Sequence, residues 1–424
     1  MKISIVIVFA VLCALGKSFA EVVRYDNYRI YGVTVNSLDD LKVLKSLEGS
    51  SDGYTFLSMP SKLSSEAAVV VAPHKLAAFE DFLKSRNIKH TVTNKNLQRS
   101  IDMERRLMNF RKKRSNGFDF DNYHTLDEIN IWLKSLEQAY PDLVTVVSAG
   151  KSFQDRDILG IKLSHGSKNP GIFIEGGIHA REWISPATVI FLINELLTSQ
   201  DEAIKDLAES YDWYIFPSIN PDGYVFSHEK DRLWRKTMSK HPNIPCYGVD
   251  ANRNWDFHWT DEDTDNPCAD SYSGPKAASE SEVIAVGNYM ESIKEQLHLF
   301  LSFHSFSQLI LFPNGYTPDH VEHYDDLMDI GDTAAKALAK RYGTEYTVGD
   351  IYSTIYPAPG TSIDWAMGVL GVKLSFVYEL RPTSIMEGGF ELSPDKIRPV
   401  ASETIDSVVA LVNRAKELKY FDLQ

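Results

Sequence analysis

The sequence predicts an α/β protein: one large domain with a mostly parallel mixed sheet between helices, preceded by a small α+β unit of β-α-β-β-α-β order. Three observations predict it. Beyond residue 115, strand-like and helix-like stretches alternate for about 310 residues without an internal repeat, the order of helices that cross between parallel strands. The stretches "GIFIEGG", "DWYIFPSIN", "LHLFLSFHS" and "VKLSFVYELRP" are nearly continuous apolar runs, as a sheet covered on both faces requires. The charge balance also breaks at the basic run "RKKR", residues 111–114: residues 21–114 carry a net +6 and residues 115–424 a net −22.

Taken in chain order, residues 1–20 read as a secretory signal peptide, with Lys2 ahead of an apolar run from Ile3 to Leu15 and small Ser18 and Ala20 near the cleavage point. The run is too short for a bilayer span, which needs roughly 20 residues, so the expected product is secreted, with no membrane association. Residues 21–114 supply "YRIYGVTV", "YTFLSM", "AAVVVAP" and "IKHTVTN" as strands, with "SLDDLKVLKSLE" and "HKLAAFEDFLKSRN" as helices. A long polar helix, "NLQRSIDMERRLMNFRKKR", follows. Its basic end invites a trypsin-like protease at Arg114; the alternative is an ordinary charged interdomain helix. Opposite net charges favour association of the two pieces, and the net charge of −14 offers nothing to a nucleic acid. Cys13 leaves with the leader, so Cys246 and Cys268 are expected to pair in an oxidising compartment; two separate buried thiols are the alternative.

In open α/β sheets, ligands bind beyond the carboxyl ends of the strands. His179 and Glu182 follow "GIFIEGG", His304 ends "LHLFLSF" and Glu379 ends "VKLSFVY". Two neutral imidazoles and one carboxylate suit Zn(II), and three protein ligands leave a fourth position open, as a catalytic zinc needs. H-x-x-E alone is a weak signal. His320 and His323 form a competing H-x-x-H, but their acidic surroundings at a helix start indicate a solvated face. For Glu379, a strand-end carboxylate paired with Arg381 is the simpler structural reading. His228, His258 and His298 lack nearby partners and suit ordinary surface or core roles.

Six motifs occur together and in order: "GGIHAREWISPAT", "DRLWRKTMS", "GVDANRNWD", "LSFHSFSQL", "TIYPAPGTSIDW" and "YELRP". Jointly they resemble the zinc metallocarboxypeptidases of the pancreatic carboxypeptidase A/B family across nearly all of residues 115–424, and the preceding segment is similar to their activation peptide. The resemblance implies that His179, Glu182 and His304 hold one zinc ion per catalytic domain, the set that carboxypeptidase A exemplifies. It implies that Asp250 orients His179, that Glu379 is the general base and acid, and that Arg235 stabilises the oxyanion. Asn252 and Arg253 would fork the substrate's free carboxylate, Tyr356 would close over it, Arg181 would contribute at an outer subsite, Ser305 would bind substrate and Phe390 would stand at the pocket rim.

The resemblance places Ile363 at the floor of the terminal side-chain pocket, with Ile351, Val377 and Gly315 around it. Basic-specific members carry Asp at that floor, so Ile363 implies an A-type enzyme selecting aromatic or aliphatic C-terminal residues. Phe306 stands where many members have Tyr, and "RPTSIMEGGF" is about two residues longer than the family's shortest form. The expected protein is a monomeric secreted zymogen acting on peptides. Its propeptide, residues 21–114, would serve as intramolecular inhibitor of the catalytic domain, residues 115–424. The alternatives are B-type specificity for Lys or Arg and a non-catalytic peptide-binding relative; the latter is disfavoured because every ligand position and Glu379 are present.

Overall fold

The computed structural model describes residues 22–48, 53–58, 66–114, 117–166, 169–244, 246–261 and 266–422. The leader expected over residues 1–20 lies outside the described residues, as does Ser115 on the far side of the Arg114 bond.

The N-terminal unit has the expected order: β1 (Arg29–Thr34), α1 (Leu38–Glu48), β2 (Tyr54–Ser58), β3 (Glu66–Val71), α2 (Leu76–Ser85) and β4 (Lys89–Asn94). Its strands pair antiparallel in the order β2-β3-β1-β4. Successive strand residues point to opposite faces. Tyr31, Phe56, Val69 and Val71 therefore pack with Leu44, Phe79 and Leu83 of this unit's own helices, while Ile30, Leu57, Ala68 and Val70 face the large domain. That second buried face is why "AAVVVAP" is apolar at every position. α3 (Leu97–Lys112) then runs along the large domain, with Leu97 and Ile101 in the same shared cluster.

The large domain follows with α4 (Leu126–Ala139), β5 (Val144–Lys151), β6 (Asp157–Leu163), β7 (Gly171–Gly176), α5 (Ile184–Thr198), α6 (Glu202–Ser210) and β8 (Asp212–Phe216). After these come α7 (Pro221–Glu229), α8 (Ser281–Ser292), β9 (Leu297–Ser305), β10 (Leu309–Phe312), α9 (Tyr324–Tyr342), β11 (Thr347–Asp350), α10 (Ile351–Thr354), α11 (Ser362–Gly368), β12 (Leu374–Leu380) and α12 (Ile397–Glu417). The eight strands are ordered β11-β10-β12-β9-β7-β8-β6-β5. The centre, β12-β9-β7-β8, is parallel; β6 and β10 join it antiparallel, with β5 antiparallel to β6 and β11 parallel to β10.

Alternation decides the layers. Ile172, Ile174, Leu299, Leu301, Phe303, Phe376 and Tyr378 meet α4, α5, α6, α9 and α12 on one face. Phe173, Phe300 and Val377 meet α8 and α11 on the other. By the same parity Glu175, Ser302, His304 and Glu379 project on the second face, and the registers Glu379↔His304 and Glu175↔Ser302 make them neighbours.

The two domains meet through the apolar cluster of Tyr25, Ile30, Leu57, Ala68, Val70, Leu97 and Ile101 against Leu233, Phe306, Ile385 and Phe390. Charge assists in two different ways. Lys112 pairs with Glu128 and Arg111 with Asp395, in the direction expected from the net charges. The one buried pair among the described residues runs the other way: Glu104 of the basic piece holds Arg232 of the acidic piece at 2.7 and 3.0 Å, each side chain 1% exposed. Global charge therefore does not name the pair that matters at this interface.

Cys246 and Cys268 are bonded, with Cα atoms 5.2 Å apart. Closing a loop of 22 positions stabilises the fold by about 3 kcal/mol on chain-entropy grounds. Cys246→Ser is expected to lower the urea-unfolding free energy by about that amount, and dithiothreitol should reproduce the loss in the parent protein; an unchanged midpoint in both would show that the bridge constrains nothing.

Candidate active site

After β7, Gly177 takes φ +63°, a left-handed conformation that glycine adopts without strain, and the chain turns so that Glu182 N–H donates to the His179 carbonyl at 3.3 Å. The turn is buried, so its peptide groups need partners. They find them on residues 220–235: Asn220 Nδ2 donates to the Ile178 carbonyl, Ala180 N–H donates to the Arg235 carbonyl, and Ser227 Oγ donates to the Ala180 carbonyl.

This rigid turn brings His179 and Glu182 against His304 at the end of β9. Nδ1 of His179 lies 2.8 Å from Glu182 Oε1 and 3.1 Å from Nδ1 of His304, which in turn lies 3.2 Å from Glu182 Oε2. All three side chains are buried. On its other nitrogen, Nε2, His179 meets Asp250 Oδ1 at 3.1 Å. A proton on Nε2 leaves the Nδ1 lone pair directed at the cluster. Two ring nitrogens and a carboxylate oxygen aimed at one another have one proton-free way to be satisfied together, a shared cation, and the donor set is that of a catalytic zinc. Burial opposes the charge on Glu182, but the adjacent imidazoles hold its carboxyl well below the usual range, and the Ser305 N–H donates to it at 3.2 Å.

Asp250 serves two neighbours. Its Oδ2 accepts from Arg235 Nε and Nη2 at 3.0 and 2.7 Å, leaving Arg235 Nη1 3.8 Å from Glu182. Arg235 and His179 together keep the buried Asp250 ionised against desolvation. Arg253 donates to the Asn252 carbonyl at 2.7 Å and to the Tyr356 hydroxyl at 3.3 Å, while Asn252 Oδ1 accepts from the Ser362 N–H at 3.0 Å. A Cβ on Gly360 would lie 2.5 Å from the Arg253 carbonyl, so glycine is what lets the Tyr356-bearing loop close on Arg253. Arg381 is engaged by Glu403 and not by Glu379, which removes the simple structural reading of Glu379. Burial, reinforced by Glu182 and partly offset by His304 and Arg235, pushes the Glu379 carboxyl up to about 8; a divalent cation beside it acts the other way.

Most of these groups open onto one cavity of about 380 Å³, with His304 and Asp250 buried behind its wall. His179, Glu182, Arg235, Asn252, Arg253, Ser305, Tyr356, Glu379 and Phe390 all line it, as do Ile351 and Val377. Ile363 and Gly315 do not: Ile363 is fully buried in the apolar cluster that backs Ile351, Ala358 and Val377. The floor reached from the cavity is therefore formed by those neighbours. Arg181 lies behind the rim, 2% exposed, donating to Asp270 at 2.7 Å and to the Phe56 carbonyl at 3.4 Å, with Phe390 stacked at 4.5 Å. His320 stacks on Tyr324 and His323 contacts the Lys373 carbonyl, with no metal cluster there among the described residues.

Sequence reasoning did not find Leu57, Ser58, Glu66 and Ala68 of the N-terminal unit, which close the cavity from above. Nor did it find Asp270 or the Glu104–Arg232 pair. Trp183, next to Glu182, lies between the Arg232 guanidinium at 3.7 Å and the His228 ring at 3.9 Å.

The fold and this donor set define a metal-dependent hydrolase that carries its own cover. Residues 129–407 match the zinc carboxypeptidase family and residues 31–104 its carboxypeptidase activation peptide; the chain belongs to the zinc carboxypeptidases. It is 47% identical over 412 residues to zinc carboxypeptidase A 1 of Anopheles gambiae, covering 96% of this chain and 94% of that one. It is 41% identical over 302 residues to carboxypeptidase B of Astacus astacus, covering 70% of this chain and 99% of that one. The crystal structure of a carboxypeptidase A from Helicoverpa armigera superposes with TM-score 0.85 at 28% identity, covering 93% of this chain and 98% of that one.

Because Asp250 fixes both His179 and Arg235, Asp250→Asn is expected to weaken zinc binding by roughly 10- to 100-fold. Competition with a chelator of known affinity measures this, and retention of full affinity would contradict the orienting role.

Proposed function

We propose that this zinc carboxypeptidase is A-type, secreted as a monomeric zymogen and trimmed after Arg114 by a trypsin-like protease. Residues 21–114 then leave, and residues 115–424 release hydrophobic C-terminal residues from peptides one at a time. The observation that carries the specificity is the inner lining of the cavity: Leu311, Ile351, Ala358 and Val377, with Glu182 and Glu379 the acids contributed by residues 115–424 among the described lining residues. Burying an aromatic side chain there is worth about 2–3 kcal/mol, while a cationic one loses hydration without a partner.

When bound at His179, Glu182 and His304, zinc supplies Lewis acidity, polarising a carbonyl and lowering the pKa of water to about 7. The other roles belong to the chain. Asn252 and Arg253 grip the terminal carboxylate bidentately and Tyr356 covers it, which sets the scissile bond one residue inward. Glu379 takes the proton of the attacking water and returns it to the departing amine. Arg235, preorganised by Asp250, faces the charge that develops on the carbonyl oxygen.

Two features favour the competing B-type reading: the similarity to a carboxypeptidase B and Asp364, the buried acid beside Ile363. Asp364 is already occupied, accepting from Gly315 N–H at 3.1 Å with both oxygens and from Thr361 Oγ1, and burial pushes it up to about 6. It is thus a weak partner for an incoming cation.

Trimmed protein is expected to show kcat/KM at least ~100-fold higher for a peptide ending in Phe than for its Arg counterpart; preference for Arg would sink the A-type assignment. Chelator should abolish turnover and zinc restore it. Uncleaved chain should be inactive on a large peptide, since the N-terminal unit closes the cavity; full activity before trimming would refute the inhibitory role. Glu379→Gln should lower kcat by roughly 100- to 10,000-fold with little change in KM.

A further inference from the structure

Arg232 is enclosed on every side. Glu104 pairs with it bidentately, the carbonyls of Arg181 (2.8 Å) and Phe390 accept from it, and Trp183 stacks against it. Of these partners only Glu104 belongs to residues 21–114. On the reading that this segment is removed, trimming takes away the countercharge of a guanidinium that is 1% exposed in the full chain and that stays against Trp183 and the Arg181 and Phe390 carbonyls, unless something replaces it. A buried charge that has lost its partner is strongly destabilising.

The chain holds a spare carboxylate at the right place. Glu391 follows Phe390, whose carbonyl Arg232 already grips, and Glu391 Oε1 is buried with no hydrogen-bond partner among the described residues. No cation lies within ion-pair distance of Glu391 among the described residues, yet its carboxyl feels Arg232 and Arg181 as attractive charges and Glu104 as a repulsive one, with burial holding it up at about 8. Buried oxygens without partners are rare and call for a physical reason.

We propose that Glu391 is a positioning residue of the trimmed enzyme, replacing Glu104 as the carboxylate partner of Arg232 and so fixing Phe390 and Arg181 at the outer end of the cleft. Phe390 links the two: its ring meets Phe306 at 4.9 Å and the Arg181 guanidinium at 4.5 Å. The exchange anchors the far wall against which residues upstream of the cut would lie. The inner pocket, built on β10, β12 and residues 351–361, does not depend on it.

The test compares Glu391→Gln and Glu391→Asp with the parent, each as full chain and after trypsin trimming. A gain of activity in the trimmed parent establishes the activation reading first, so its failure is seen separately. In the full chain, where Glu104 holds Arg232, Glu391→Gln should leave Tm unchanged. In the trimmed form it should lower Tm by roughly 5 °C and raise KM about tenfold for a tetrapeptide ending in Phe, leaving kcat and the KM of a blocked dipeptide alone. Glu391→Asp should recover most of both. Loss of the glutamine variant only upon trimming also supports the exchange. Equal Tm losses in both forms, or no effect in the trimmed form, would overturn it.

Discussion

The site depends on strand register. His304 and Glu379 stand side by side because β9 and β12 run parallel with Glu379 opposite His304, and the His179 turn joins them because β7 pairs with β9 on its other edge. Side chains alternate between faces, so a slip of one residue in either pairing would carry His304 or Glu379 to the opposite layer. The apolar neighbours resist that slip. Phe300 and Val377 are buried on the face that carries the site, while Leu301, Phe303, Phe376 and Tyr378 are buried on the other. Packing of both layers thus enforces a geometry that the ligands, repelling one another without a cation, could not hold unaided.

Around this floor, ionised groups are kept in the interior by sharing partners. Asp250 faces both His179 and Arg235, and Glu182 faces both histidines and the Ser305 N–H. Each carboxylate oxygen is spoken for, which is the condition under which buried charge is tolerable. The interface of the N-terminal unit follows the same rule on a larger scale. Apolar side chains exclude water, exposed Lys112 and partly exposed Arg111 contribute little where solvent screens them, and the desolvated pair of Glu104 with Arg232 carries orientation. Its polarity opposes the net charges of the two pieces, because long-range fields act through solvent and a desolvated contact acts through its own geometry.

Much of this was legible from residues alone. The central strands announce themselves because two buried faces demand unbroken apolar runs, and the N-terminal unit because its elements alternate cleanly. The strands β5, β6, β10 and β11 were not read. They lie toward the edges of the sheet, where "VTVVSAGK" and "DILGIKL" are only partly buried and "LILF" and "TVGD" are too short to show a period. At the site, His179, Glu182, His304, Asp250, Asn252, Arg253 and Tyr356 fall together as their motifs imply. At the pocket, Ile363 is buried in the same apolar cluster as Ile351 and Val377 but does not line the cavity, a distinction that spacing along the chain does not encode. Partners distant in sequence and generic in type, such as Glu104 for Arg232 or Asp270 for Arg181, left no pattern to read.

One arrangement has an optical consequence. Trp183 is clasped between a guanidinium on one side and an imidazole on the other, directly beside Glu182. Indole emission responds to the local electric field, and the field from Arg232 is set by whichever anion neutralises it. On the reading that residues 21–114 are removed, the Trp183 indole would sense which carboxylate neutralises Arg232 once Glu104 has gone.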